Sequence, residues 1–421
     1  MRVLILGGGY AGIFAASNLC KNENVQVTLV NDGPKLQLLQ NIHRVASGEV
    51  QPKDISLDID EILGKDVIFV NGKCEKVDLI AKQAEIVLES GTIQIVQYDY
   101  LIIAIGAKNA YFGIKGAREN TLSLRSVEDS IKLDRIIQYL RRGSIVTIVG
   151  GGATGLSLTG ALSEKYGNKI KIRVIEAQKE VLPGWDPTTI MMVKKILEKN
   201  KNTEILRGKP IIEIGPHSVT LSSGETLQTN VTIWTAGICG QDLNIIPIVK
   251  KSGSGRFIVN KYSQVLRSDD EVFDNVFAIG DISAFPLDNE GKVSPQLAQF
   301  AVRQARNVAK NILRKESKQK MIEFEYLQKG QIISLGRNCV GTLNGFPISG
   351  WLCENTEEFV IDNYIKAILN RGEGLQGIVY DGNSIGTEIV TTISLIAYLC
   401  RRLMVPNSLK QTIFSPATGS G

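Results

Sequence analysis

The chain reads as an α/β protein built from two Rossmann-like dinucleotide-binding units, one inserted in the other, followed by a C-terminal α+β region. Two observations lead to this. Val3-Leu4-Ile5-Leu6 runs into Gly7-Gly8-Gly9-Tyr10-Ala11-Gly12, and Ile145-Val146-Thr147-Ile148-Val149 runs into Gly150-Gly151-Gly152-Ala153-Thr154-Gly155. Each is an apolar β-branched strand followed by GxGxxG and a helix-like stretch, Ile13 to Leu19 and Leu156 to Leu162, which is the context that gives the motif meaning. A third observation, the late apolar run Val276-Phe277-Ala278-Ile279 closing on Gly280-Asp281, points to a strand that returns to the first unit.

In each motif the first glycine (Gly7, Gly150) makes the tight turn after the strand. The second (Gly9, Gly152) lets backbone approach a pyrophosphate, and the third (Gly12, Gly155) lets helix and strand pack closely. The phosphates would then rest on a helix N-terminus, where free N–H groups and the helix dipole favour negative charge. Two such units in one chain imply a relay, in which one cofactor stays bound and the other comes and goes.

The strand after each helix separates the two sites. Ile170 to Ile175 ends on Glu176, an acid placed to hydrogen-bond a ribose 2′-hydroxyl and to repel a 2′-phosphate. Ala177-Gln178-Lys179 follows with no arginine, which points to NADH over NADPH. The first unit's strand, Val25 to Val30, ends in Asn31-Asp32. There the ribose contact falls to Asn31, to Asp32 or to neither.

The motifs in this order resemble the two-dinucleotide-binding-domain flavoprotein family over residues 1 to about 315. In that family an Asp in the place of Asp281 meets the ribityl chain of FAD. The segment Tyr98 to Ala107, with Ala104 and Gly106, is similar to its second FAD-side motif, and Val231 to Gly237 to its counterpart in the NAD half. The resemblance assigns FAD to the first cradle and the nicotinamide cofactor to the second. It implies an FAD domain from 1–113 and 246–315, an NAD domain at 114–245, and a C-terminal region at 316–421.

Within that family the chain most resembles type II NADH dehydrogenase, the single-subunit NADH:quinone oxidoreductase. Val181-Leu182-Pro183-Gly184-Trp185-Asp186-Pro187, Ser294-Pro295-Gln296-Leu297-Ala298-Gln299-Phe300-Ala301 and Ser334-Leu335-Gly336-Arg337-Asn338 carry this likeness. It implies electron transfer from NADH through FAD to a quinone, without proton pumping, with Ala298 and Gln299 beneath the flavin. The chain departs from the pattern where the family usually carries a glutamate, here Ser157, with Ala161 replacing a second acid. The second quinone-side glutamine falls at Arg303, with Gln304 next to it. Gln299, Arg303 and Ser157 are the candidates for the reacting site. Gln299 and Arg303 would orient a quinone or balance charge on reduced flavin. The sibling sulfide:quinone oxidoreductases share the scaffold but use paired redox cysteines, and this alternative stays open.

Composition is compatible with these readings. A formal charge of +5 over 421 residues, with no concentrated basic run, argues against nucleic-acid binding. Only His43 and His217 are present and no cysteines are spaced CxxC, so no metal site is expected. The scattered cysteines read as those of a reducing, cytoplasmic setting. Cys339 and Cys353 could form a redox pair. With no cysteine near the second glycine motif to serve as partner, two packed thiols are the expectation. His43 reads as a structural histidine more than a proton donor. No run reaches the roughly 18 apolar residues of a membrane span. Residues 389–404, apolar at helical spacing and ending beside Arg401-Arg402, read as a membrane-interface helix, a packed helix or a homodimer contact. Met1 leads directly into the first strand, with no signal peptide, and 415–421 read as a disordered tail.

Overall fold

The computed structural model describes residues 1–288, 290–328 and 330–369. Strand Arg2–Leu6 is buried at Val3, Leu4, Ile5 and Leu6, as a parallel strand covered on both faces must be. It lies between Gln26–Asn31 and Tyr100–Ile103, parallel to both, with Val3 opposite Val27 and Tyr100. On one side the sheet continues through Val67–Asp78 into Gln83–Leu88 and Ile93–Gln97. On the other side Val272–Ala278 returns late in the chain to pair in parallel with Tyr100–Ile103, Val276 opposite Leu101.

Between those two partners the chain builds a second, all-parallel sheet. Its order is Leu122–Ser123, Val231–Trp234, Ser144–Val149, Ile170–Ile175, Thr203–Leu206. A short antiparallel ribbon, Ala107–Asn109 with Ile238–Gly240, carries the chain out of the first sheet and back.

The helices are α1 (Tyr10–Leu19), α2 (Ile42–Ala46), α3 (Ile59–Leu63), α4 (Val127–Gln138), α5 (Ala153–Tyr166), α6 (Pro187–Leu197), α7 (Ala298–Glu316) and α8 (Gly350–Leu369). Helix α1 is buried almost all round because the sheet covers one side and α7 the other. Small residues permit that: Ala11, Ala15 and Ala16 of α1 share a core with Ala301, Ala305 and Ala309 of α7.

In the C-terminal region three antiparallel strands, Gly330–Leu335, Asn338–Leu343 and Phe346–Ser349, lead into α8. Ile333, Leu335 and Val340 join the core of the inserted unit, while Tyr364 and Ile368 of α8 join the core around α1. This region therefore ties the two halves together.

One expectation is corrected here. Cys339 and Cys353 are not separate packed thiols but a disulfide, with Cα atoms 5.4 Å apart. Cys339 pairs with Ser334 in the hairpin, on the sheet face that α8 covers, and Cys353 stands in the first turn of α8. Both are fully buried beside Ile348. Their approach depends on strand register and on where α8 lands, which cysteine spacing alone does not carry.

Among the described residues no helix is long and apolar enough to cross a membrane. The expected interfacial segment 389–404 and the tail 415–421 lie outside the described residues.

Candidate dinucleotide and acceptor sites

The two cradles repeat each other position by position. Gly7 (φ +108°) and Gly150 (φ +110°) take a backbone conformation closed to other residues. A Cβ on Gly7 would run into the Ala104 carbonyl, and one on Gly150 would lie 2.6 Å from the Ala236 Cα. Gly12 and Gly155 back onto the carbonyls of Gly7 and Gly150 in the same way. Gly9 and Gly152 are different. Their backbones are extended (φ −77° in both), and a Cβ there would meet nothing within 4 Å. The open space at these two glycines is the cradle that a pyrophosphate would fill.

The helices that follow, like α2 and α7, begin with open N-termini. Neither α1 nor α5 has a side-chain N-cap or an acidic residue in its first turn. By contrast, Ser126 caps α4 and Asp186 caps α6. A helix start leaves several N–H groups without intrahelical partners, and in α1 and α5 no side chain caps them. Uncapped N-termini beside open glycines fit two pyrophosphates.

At the strand ends, Glu176 is buried; its Oε2 accepts the Gly151 N–H at 2.7 Å and its Oε1 the Gln178 N–H at 2.8 Å. A carboxylate offers about four acceptor sites, so two remain for ribose hydroxyls. Asn31 occupies the equivalent position in the first cradle. Its Oδ1 accepts the Gly8 N–H at 2.7 Å and its Nδ2 donates to the Gly33 carbonyl at 2.8 Å. Of the two residues weighed from sequence, it is Asn31 that faces the cradle, while Asp32 is exposed.

Gly280 and Asp281 form a tight turn just beyond strand Val272–Ala278. The Gly280 N–H donates to Gln304 Oε1 at 2.8 Å, and a Cβ on Gly280 would lie 3.1 Å from the Ala11 methyl, which brings the turn against α1. Burial pushes the Asp281 carboxyl up, and the nearby Arg125 and Arg256 draw it down. Arg256 is buried and donates to Ser294 Oγ at 2.8 Å and to the Ser283 and Ser294 carbonyls. Arg125 donates to the Ala107 carbonyl at 3.2 Å. Sequence reasoning passed over Arg125, since no motif marks it; only the fold brings it towards Asp281. Gly106 (φ +74°) stands two residues after Ala104, and the Gly237 carbonyl accepts the Ala110 N–H at 3.0 Å, so these residues line the two connections between the halves.

The reacting-site candidates are distributed over two helices. Ser157 is buried in α5, three and seven residues before Gly160 and Glu164. That spacing puts the three on one helix face, and it is the face that meets the C-terminal hairpin: Gly160 backs onto Leu335, and Glu164 accepts the Arg337 N–H at 2.7 Å. Ala298 opens α7. Gln299 Oε1 accepts the Tyr326 hydroxyl at 3.2 Å, and Arg303 stands one turn later on the same side. Arg303 is buried; its Nη1 donates to the Leu327 carbonyl at 2.7 Å and its guanidinium lies 5.7 Å from the Tyr326 ring centre. Tyr326 was not singled out from sequence. Gln304, beside Arg303, is wholly buried and ties Gly280 to the hydroxyls of Ser263 and Ser283, a structural role. His43 is buried and its pKa is lowered to about 4, by burial first and then by Arg44, so its imidazole is uncharged at neutral pH.

Comparison with known proteins fits this geometry. Residues 1–305 match the pyridine nucleotide-disulphide oxidoreductase family. A type II NADH:quinone oxidoreductase of Staphylococcus aureus is 30% identical over 380 residues, spanning 83% of this chain and 91% of that one. One from Staphylococcus saprophyticus is 29% identical over 381 residues, with the same coverage. Among solved structures, NDH2 from Plasmodium falciparum in complex with NADH superposes with a TM-score of 0.76 at 18% identity, over 94% of this chain and 97% of that one. The sulfide:quinone oxidoreductase of Aquifex aeolicus gives 0.74 at 20% identity, over 88% and 92%, so the fold alone does not separate the two activities. The family match over most of the chain and the 30% identity to the staphylococcal protein together show that this chain belongs to the pyridine nucleotide-disulphide oxidoreductase family and, within it, to the type II NADH:quinone oxidoreductases.

Proposed function

We propose that this chain passes electrons from NADH through a bound FAD to a quinone. Two uncapped helix N-termini, each beside a glycine whose missing side chain leaves open space, carry the reading. When bound, FAD would supply the two-electron chemistry that links hydride oxidation of NADH to quinone reduction, chemistry that belongs to the cofactors. The protein's part is to hold and orient. Gly7, Gly9 and Gly12 receive the FAD pyrophosphate, Asn31 stands at the adenosine end, and Asp281 accepts from the ribityl hydroxyls. Ala104 and Gly106 shape the first site and Gly237 the second. Gly150, Gly152 and Gly155 receive the NADH pyrophosphate, and Glu176 accepts from the adenosine ribose. Ala298 and Gln299, at the start of α7, face the acceptor. Arg303 stands one turn further along α7, against the segment carrying Tyr326, and Ser157 lies on the α5 face that meets the C-terminal hairpin. No side chain acts as a nucleophile.

Residues 1–113 and 246–315 form the FAD domain in this reading, 114–245 the NAD domain, and 316–421 the region that reaches the membrane surface or a second copy. Quinones dissolve in lipid, which in this reading puts the reaction at a membrane face.

The test is an anaerobic NADH titration followed by a soluble quinone, reading flavin absorbance. Bleaching by NADH and rapid recovery on quinone support the relay; a flavin bleached by sulfide but not by NADH refutes it. The cysteine-based alternative is disfavoured by geometry, because Cys339 and Cys353 are sealed between the C-terminal sheet and α8.

A further inference from the structure

We infer that Tyr326 is a positioning residue for the electron acceptor: its hydroxyl, donated to Gln299 Oε1, turns the Gln299 amide N–H₂ outward as the donor for a quinone carbonyl oxygen. The inference rests on the quinone reading above. A glutamine amide presents oxygen on one side and N–H₂ on the other, and a half-turn about its last bond exchanges them. Which side meets the acceptor decides between a hydrogen bond and the repulsion of two carbonyl oxygens. Tyr326 makes that choice. It donates at 3.2 Å, and because burial pushes its phenol up, the hydroxyl keeps its proton through the neutral range.

The tyrosine is itself held on two sides. Its ring lies 4.9 Å from that of Phe300, which stacks edge-on with Phe324 at 5.2 Å, and Phe324 stacks edge-on with Phe285 at 5.2 Å. From α7, Arg303 binds the Leu327 carbonyl at 2.7 Å and lies over the Tyr326 ring. Arg303 therefore acts through the segment carrying Tyr326, and its main hydrogen bond is already committed to backbone. The residues in the sequence places of two acceptor-side glutamines have become one donor, Gln299, and one brace, Arg303.

The experiment compares the FAD-loaded full chain with Tyr326→Phe, Gln299→Leu and the double variant, using a short-chain soluble benzoquinone. Tyr326→Phe removes one oxygen and leaves the aromatic cluster. The expected result is a quinone KM raised about 5- to 10-fold, the loss of one hydrogen bond. Quinone kcat and the rate of NADH bleaching should change less than twofold. Ferricyanide, which offers no carbonyl, should show no KM change. The double variant should be no worse than Gln299→Leu, since Tyr326 acts only through Gln299. Arg303→Lys, which loosens the brace but spares the hydroxyl, should raise the same KM by a smaller factor, and it serves as the second variant should Tyr326→Phe fold poorly. An unchanged quinone KM in Tyr326→Phe, or losses that multiply in the double variant, overturns the proposal while leaving the function intact. A parent flavin that NADH bleaches and no quinone reoxidises overturns the functional reading, and this inference with it.

Discussion

Gly152→Ala separates cofactor binding from folding. The backbone there (φ −77°, ψ −179°) is open to alanine, and the added methyl would meet nothing within 4 Å. Alanine stiffens the unfolded chain, worth about 0.4–1 kcal/mol, and is a poorer N-cap than glycine by a comparable amount. The two roughly cancel, so Tm should move by no more than about 2 °C. For NADH the outcome differs. The methyl occupies the space through which a phosphate oxygen would reach the first N–H groups of α5. Each charge-assisted hydrogen bond lost costs about 1.5–3 kcal/mol, so one lost bond weakens NADH about 10- to 150-fold. FAD, held by the other cradle, should stay bound with an unchanged spectrum. Gly150→Ala is the contrast: at φ +110°, with its Cβ 2.6 Å from the Ala236 Cα, it should cost more than the roughly 1–3 kcal/mol of backbone strain alone and lower Tm visibly. The assay is calorimetric titration with NADH beside a thermal melt. A Gly152→Ala protein that binds NADH as tightly as the parent would refute the placement of the pyrophosphate.

Three further outcomes are expected. Glu176→Gln keeps one acceptor but turns a donor towards the Gly151 or Gln178 N–H, and removes the charge that repels a 2′-phosphate; NADH should weaken about 10-fold and the preference over NADPH should narrow, read as the ratio of the two Kd values. Because native His43 stays neutral down to about pH 4 while the unfolded chain protonates near 6.5, stability falls as pH drops through that window, by up to about 3 kcal/mol. His43→Asn should flatten that limb of the acid-denaturation curve, and an unchanged limb would count against the assignment. Cys339→Ser opens a disulfide spanning a separation of 14 residues and should cost up to about 3 kcal/mol in chemical denaturation, with NADH:quinone turnover retained in the folded protein. Loss of turnover without loss of stability would revive a cysteine-based relay.

Both strand–glycine–helix units were legible in the sequence because they are local. Strand, glycine turn and helix start lie within about a dozen consecutive residues of Val3 and of Ile145, and Glu176 follows at the end of the next strand. Backbone conformation at Gly7 and Gly150 is demanded by the turn itself. The return of Val272–Ala278 to the first sheet was legible too, since an apolar strand closing on Gly-Asp has the signature of a buried parallel strand.

What the sequence by itself determined, then, is the pair of strand–glycine–helix units, their order and the acid at the end of the second unit's next strand, all fixed by residues close along the chain. Only the tertiary structure decided the rest. That Asn31 takes the Gly8 N–H as Glu176 takes that of Gly151, while Asp32 is exposed, is visible only in the fold. Arg125 comes towards Asp281, Tyr326 reaches Gln299, and Cys339 bonds Cys353 because sheet register and helix docking carry separate segments to one place. Such meetings depend on how whole layers pack, and no spacing within a single segment encodes them.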